Sequence, residues 1–301
     1  MPEIRRLSID IGTNSVLGLL AAVNAGRMRV IFDVKVTTRL GERLNDTGLL
    51  QPQAIARTVE AVHGLLLKEG FDEVIILGTE ALRIASNPRE FRQKLLNLTG
   101  HDVRIISGQK EAELAFLGAL YNLPLSGESV VLIDVGGGST EIAISESGQI
   151  ADSISIPIGA LKLREKVMSR KLEDYLQFVR PIFAEALGNF KAPPDLHLVA
   201  TGGTITSAAA IVFGGKEYNS SAVHGRELDT GRMLSLSNKF EKAAPENQQE
   251  LIPFDPDRAD LILPGLGIFL AVLGIFRKDR VVVSAGGLRF GAALYPEKIR
   301  A

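Results

Sequence analysis

Apolar positions in the first forty residues alternate with polar ones or gather in short β-branched blocks, which is the pattern of strands. Arg6–Ala22 reads as a strand ending in Asp10, a turn Gly12-Thr13-Asn14-Ser15 and a returning strand. Asn24, Gly26 and Arg27 turn the chain again, and Met28–Thr38 alternates as a third strand. The period then changes. From Pro52, Ile55, Val59, Val62, Leu65 and Leu66 share one helical face up to Gly70. A strand Val74–Leu77 runs into Gly78-Thr79-Glu80-Ala81-Leu82-Arg83, and a helix Arg89–Leu98 and a strand Val103–Ile106 follow. Ser107 is placed to cap a long helix carrying Glu111 and Glu113 in its early turns.

The same order recurs. Val130–Ile133 ends in Asp134, Glu141–Ser145 returns, Gly148 turns the chain and Ile150–Ile158 is a third strand. Helical signals occupy 162–190, with Pro181 expected at a helix break or start. Leu196–Ala200 then leads into Thr201-Gly202-Gly203-Thr204, which opens a small-residue helix near Ile205. Asp10 and Asp134 are 124 residues apart, and segments 75–86 and 198–209 are offset by 123. Two separate segments that agree within one residue predict a duplicated βββαβα unit. The expected fold is therefore α/β with two similar lobes, residues 1–122 and 123–301, and ligand held in an interlobe cleft beyond the strand ends. Chance resemblance among strand–glycine turns is the plainer alternative. From Arg258 the chain continues through an apolar run, a strand Val281–Val283 and Ser284–Arg289 to a closing helix, about 286–301, placed to pack back against the first lobe.

Composition narrows the function. The 301 residues are 46% hydrophobic and 23% charged with net charge −1, so no basic field advertises nucleic acid or an anionic membrane. Cysteine is absent, which excludes disulfides, thiolate metal sites and a cysteine nucleophile and fits a cytoplasmic protein. No signal peptide is visible, and Leu261–Phe276, broken by Pro264 and three glycines, reads as a buried core helix and not a membrane span.

The chemistry concentrates at the turn after Asp134. Gly136, Gly137 and Gly138, then Ser139 and Thr140, offer backbone N–H groups and hydroxyls to an anion such as phosphate, and Asp134 and Glu141 can hold a hard cation beside it. A tight core hairpin is the plainer alternative, but three glycines are costly there. The 10–15 turn gains weight from the repeat, and Gly202 and Gly203 put N–H groups at a helix N-terminus, where a simple cap would look the same. Glu111 is a candidate general base for activating water, with Glu113 and Glu80 equal on composition. Arg83, Arg39, Lys110, Arg258 and Arg289 are candidate phosphate contacts or ordinary surface charges. His101-Asp102 imitates a metal dipeptide but has no histidine context, and no GxxxxGK[ST] loop is present.

With these residues placed, the chain resembles the exopolyphosphatase/guanosine pentaphosphate phosphatase family of the actin–Hsp70–sugar kinase superfamily. The motifs that carry it are DIGTNS (10–15), RLGE (39–42), GTEALRIASN (78–87), ISG with EA behind it (106–112), IDVGGGSTE (133–141), TGGT (201–204), RADLILPG (258–265) and SAGGLRFG (284–291). The resemblance implies two actin-like (ribonuclease H-like) lobes and release of terminal phosphate from polyphosphate, of the 5′ γ-phosphate from guanosine pentaphosphate, or both. It implies Mg²⁺ at Asp134 and Glu141, catalysis by Glu111 with help from Glu141, and phosphate contacts from Asp10, Gly12, Thr13, Asn14, Ser15, Arg83, Gly136–Thr140, Gly202 and Gly203. Nucleic acid and membrane are not expected partners, and a homodimer is compatible with the sequence. The chain departs from the family pattern at Lys110, where a Glu is usual, and is read as a short form without the C-terminal HD-type domain. The rival readings are a polyphosphate–nucleotide phosphotransferase of the same fold and a non-catalytic sensor of guanosine tetra- or pentaphosphate.

Overall fold

The computed structural model describes residues 2–68, 70–188, 190, 195–215 and 217–300. Asn189 and Ala301, within stretches expected to be helical, lie outside the described residues. The chain forms two compact units, with boundaries at Gly118/Ala119 and Gly287/Leu288; the segment after Gly287 returns to the first unit.

The first unit contains β1 (Ile4–Ile11), β2 (Ser15–Asn24), β3 (Arg27–Thr37), α1 (Leu44–Thr47), α2 (Pro52–Leu66), β4 (Glu73–Gly78), α3 (Glu80–Ile84), α4 (Pro88–Thr99), β5 (Arg104–Ile105) and α5 (Gly108–Ala119). Its sheet has the order β3-β2-β1-β4-β5. The three opening strands are antiparallel neighbours, and β4 and β5 add in parallel through helical crossovers. Leu7, Ile9 and Ile11 of β1 pack with Ile55, Val59 and Val62 of α2, the apolar face visible in the sequence. Ser107 caps α5 as expected, its hydroxyl accepting the Lys110 N–H at 3.1 Å.

The second unit contains β6 (Val130–Val135), β7 (Thr140–Glu146), β8 (Gln149–Ile156), α6 (Ala160–Val167), α7 (Leu172–Leu187), β9 (His197–Thr201), α8 (Gly203–Val212), α9 (Ser220–Val223), β10 (Glu227–Asp229), α10 (Thr230–Lys242), α11 (Ala259–Ile275) and β11 (Arg280–Val283). Its sheet, β10-β11-β9-β6-β7-β8, is the first unit's order read backwards, with β10 added antiparallel at the edge. The duplication expected from the 124-residue offset is therefore present strand by strand. α12 (Leu288–Leu294) and α13 (Glu297–Arg300) complete the first unit; Leu288, Ala292 and Ile299 pack with Leu114 of α5 and Leu77 of β4.

Two local expectations are corrected. Pro181 lies inside α7, and the helical break falls earlier, where Met168 takes a left-handed conformation (φ 50°) after α6. Proline is tolerated because it sits on the exposed side of α7, where the Gln177 carbonyl left without its N–H partner can meet water. The third strand of the second unit also ends two residues early, at Ile156. α11 is long and apolar enough to cross a membrane by composition alone, but most of it is packed inside the second unit, as the sequence led us to expect.

A partly buried polar cluster ties together segments of the second unit near both of its boundaries. Ser284 Oγ donates to Ala119 O (2.7 Å), and His224 Nδ1 accepts the Ala285 N–H (3.2 Å). Loss of hydration is the main cause holding the His224 imidazole below its usual pKa, against a smaller upward pull from the Tyr121 backbone. Neutral His224 therefore contributes stability that is fully present above about pH 6.5 and is lost as pH falls through the folded-state pKa. The thermal stability gap between the wild type and His224→Asn is expected to shrink from pH 7.5 to 5.5; a gap independent of pH contradicts this role.

Candidate functional site

The two glycine turns are built alike. Gly12 N–H donates to Ser15 O and Gly136 N–H to Ser139 O, each at 3.0 Å. Glycine suits both positions because a Cβ would stand 3.1 and 3.2 Å from those carbonyls. In the first turn the Asn14 carbonyl accepts the N–H groups of Thr38 (3.0 Å) and Arg39 (2.8 Å), and the Thr13 carbonyl accepts that of Gly41 (2.8 Å). In the second, the Gly136 carbonyl accepts Ala160 N–H (2.9 Å), and the Gly137 carbonyl accepts those of Leu161 (2.9 Å) and Lys162 (3.0 Å) at the start of α6. A trans peptide points its C=O and N–H in opposite directions. Anchoring these carbonyls thus turns the N–H groups of Asn14 and Ser15, and of Gly137 and Gly138, away from the anchors. Each turn is a rigid set of donors, the arrangement that suits a phosphate.

The carboxylates differ between the units. Across β6, β7 and β8 the register places Asp134, Glu141 and Ser155 side by side on one row. The corresponding row across β1, β2 and β3 reads Asp10, Leu17 and Lys35. Only the second unit therefore pairs two carboxylates across neighbouring strands, with Cβ atoms about 5 Å apart. Glu141 is 2% exposed, and its Oε1 accepts hydrogen bonds from Ser139 Oγ and Ser155 Oγ, both at 2.7 Å. The Thr140 hydroxyl, by contrast, donates to Ile158 O (2.6 Å) and braces the hairpin.

The β9–α8 turn belongs to the same neighbourhood. Gly202 has φ +100°, and a Cβ there would lie 2.4 Å from Val135 O and 3.2 Å from Asp134 Oδ1. Only glycine satisfies both the left-handed backbone and that approach. A Cβ at Gly203 would meet the Arg258 guanidinium at 2.0 Å, so Arg258, paired with Asp255 at 2.8 Å, packs on the start of α8. Thr201 Oγ1 donates to Ser284 O (3.0 Å) and also to Gly286 O.

In the first unit the structure separates the three candidate bases. Glu111, in the first turn of α5, is 8% exposed and receives Arg83 Nη1 on Oε2 at 3.0 Å; the same nitrogen donates to Ile106 O at 2.9 Å. Glu80 is buried beside the first turn and accepts the Thr13 hydroxyl (3.1 Å). Glu113 sits between Lys110 (2.9 Å) and Lys298 (2.7 Å). Burial raises the Glu113 pKa, but the Lys298 and Lys110 bonds outweigh it and hold the carboxyl below its usual range, so it serves as a fixed ion-pair partner. Arg289 makes two 2.7 Å bonds to Asp33. Asp102 of the metal-like dipeptide pairs with Arg92.

Sequence reasoning did not single out Ser155, nor the two anchors, loop 38–41 and the start of α6. The motif RLGE already contained most of the first anchor, and Ser155, polar between Ile154 and Ile156, was the available signal for the second row.

Asp134 and Glu141 fit a magnesium ion by donor chemistry: two hard oxygen ligands beside an anion-binding turn. Among the described residues no group of three or more His, Asp or Glu could hold a metal. Two carboxylates leave most positions of such an ion to other oxygen ligands, water among them.

Comparison with known proteins shows the family. The model of the Ppx/GppA phosphatase family matches residues 19–297. Exopolyphosphatase 2 of Mycobacterium tuberculosis is 30% identical over 98% of this chain and 99% of its own length. The bifunctional 3-dehydroquinate synthase/phosphatase of Fusobacterium nucleatum is 29% identical over 96% of this chain, which spans 46% of that larger protein. The crystal structure of the Aquifex aeolicus member superposes with a TM-score of 0.81 at 32% identity, covering 98% of both chains.

Proposed function

The chain belongs to the Ppx/GppA phosphatase family, and from that premise we propose that it is a Mg²⁺-dependent hydrolase releasing terminal phosphate from inorganic polyphosphate, the 5′ γ-phosphate from guanosine pentaphosphate, or both. The observation that carries this reading is the pair of equivalent turns, each with its carbonyls anchored and its N–H groups turned the other way. Phosphoryl transfer asks mostly for positioning and for stabilisation of charge on the phosphoryl oxygens, which such donors supply.

Glu111 accepts a proton from water as the water oxygen bonds to the terminal phosphorus. The bond from that phosphorus to the bridging oxygen breaks, and its electron pair leaves with the shortened product. Arg83 orients the Glu111 carboxylate for this task. Asp134 and Glu141 would hold Mg²⁺, which when bound neutralises charge on the phosphate oxygens. Thr13, Asn14 and Ser15 with Gly136–Ser139 line the donor turns, and Gly202 and Gly203 add the start of α8.

The test is phosphate release from short polyphosphate, long polyphosphate and guanosine pentaphosphate in parallel, with and without Mg²⁺. Mg²⁺-dependent release from at least one is expected. No release from any of them, or transfer only when ADP is present as acceptor, overturns the reading.

A further inference from the structure

We propose that Ser155 is a positioning residue for Glu141, fixing the orientation in which that carboxylate meets the cation. The inference rests on the reading of Asp134 and Glu141 as cation ligands and adds a residue outside the glycine turn to it. Ser155 lies on β8, the edge strand of the second unit's sheet, directly across from Glu141 in register. Its hydroxyl and that of Ser139 reach the same oxygen, Oε1, one from the neighbouring strand and one from the turn, each at 2.7 Å. Ser139 is two residues before Glu141, in the turn that leads into β7, whereas Ser155 is fourteen residues after it on β8. One donor therefore moves with the turn and the other with the sheet. A carboxylate held on one oxygen by both loses rotation about its last torsion.

The duplicated unit supports the argument by what it lacks. Where Glu141 gives way to Leu17, the position of Ser155 is taken by Lys35. Ser155 and the carboxylate are present together in one copy and both absent from the other, whereas the counterpart of Ser139 is kept there as Ser15. This pattern fits a hydroxyl kept for the carboxylate and not for the sheet, since β3 pairs with β2 without one. Partners that orient a metal ligand from behind typically change affinity or activity by about 10–100-fold when removed.

The measurement is Mn²⁺ binding, followed by electron paramagnetic resonance on the full chain, in the wild type, Ser155→Ala, Ser155→Thr and Ser145→Ala. Ser145, on the same hairpin, hydrogen-bonds to the Val130 backbone and does not reach Glu141, so it reports generic damage to the sheet. We expect Ser155→Ala to weaken Mn²⁺ binding about tenfold, with Ser155→Thr restoring most of the affinity and Ser145→Ala leaving it unchanged. Ser155→Ala should also lower kcat with little change in KM for tripolyphosphate. Equal Mn²⁺ affinity in Ser155→Ala and wild type overturns this inference alone, as does an equal loss in Ser145→Ala. A wild-type protein that binds no Mn²⁺ overturns it together with the cation reading of Asp134 and Glu141.

Discussion

Glu111→Gln is expected to lower phosphate release by about 10²–10⁴-fold, the usual contribution of a general base, while leaving the fold intact. Glutamine has nearly the same shape and keeps an oxygen for Arg83 Nη1, so the 3.0 Å contact that anchors the side chain can persist. What it loses is the capacity to take a proton. Thermal unfolding should change little, and binding of tripolyphosphate should survive. Undiminished release would remove Glu111 from the mechanism. Glu113→Gln is the informative contrast: it breaks the ion pairs with Lys110 and Lys298 and should act on stability more than on turnover.

Gly159→Ala is expected to damage both the fold and the second glycine turn. Gly159 has an extended backbone (φ −123°, ψ 179°), which any residue adopts, so its effect is purely steric. The added methyl would stand 2.5 Å from Gly137 C, 2.6 Å from Gly136 O and 2.7 Å from Gly137 O. All three are backbone atoms of the second turn, and none can swing aside as a side chain would. Either the turn or the start of α6 must move, and the hydrogen bonds that anchor the Gly136 and Gly137 carbonyls go with it. Overpacking of this kind costs roughly 1–3 kcal/mol, and the misplaced donors should cost activity beyond the stability loss. Gly64→Ala makes the control. Its methyl meets nothing within 4 Å in the last turn of α2, and alanine should stabilise the helix by up to about 1 kcal/mol. Wild-type turnover in Gly159→Ala would show that the second turn does not hold the reacting phosphate.

Much of this architecture was legible in the sequence because local rules act over a few residues. The strand–turn–strand units around Asp10 and Asp134 announce themselves through alternation interrupted by glycine, and a repeat offset of 124 is visible without any structure. The region between Val212 and Ala259 was not legible in the same way. β10 is three residues long and follows a four-residue helix, too short for either period to show. Pro181 was misplaced because a breaker rule ignores exposure, and exposure is what makes this proline tolerable. At the site, residue types could nominate Glu80, Glu111 and Glu113 equally. Only placement tells a carboxylate held by Arg83 from one locked between two lysines. Likewise Lys110, Arg258 and Arg289 could be read from sequence as phosphate contacts or surface charges, and the structure pairs them with Glu113, Asp255 and Asp33.

Attack by water on the terminal phosphorus is the central claim, and isotope placement tests it most directly. Tripolyphosphate turned over with Mg²⁺ in H₂¹⁸O, with the products resolved by mass spectrometry, reports which phosphorus the water oxygen joined. One ¹⁸O in each released orthophosphate, and none in pyrophosphate, is the predicted result. Label in pyrophosphate, or phosphate leaving only with an added nucleotide acceptor, would contradict it.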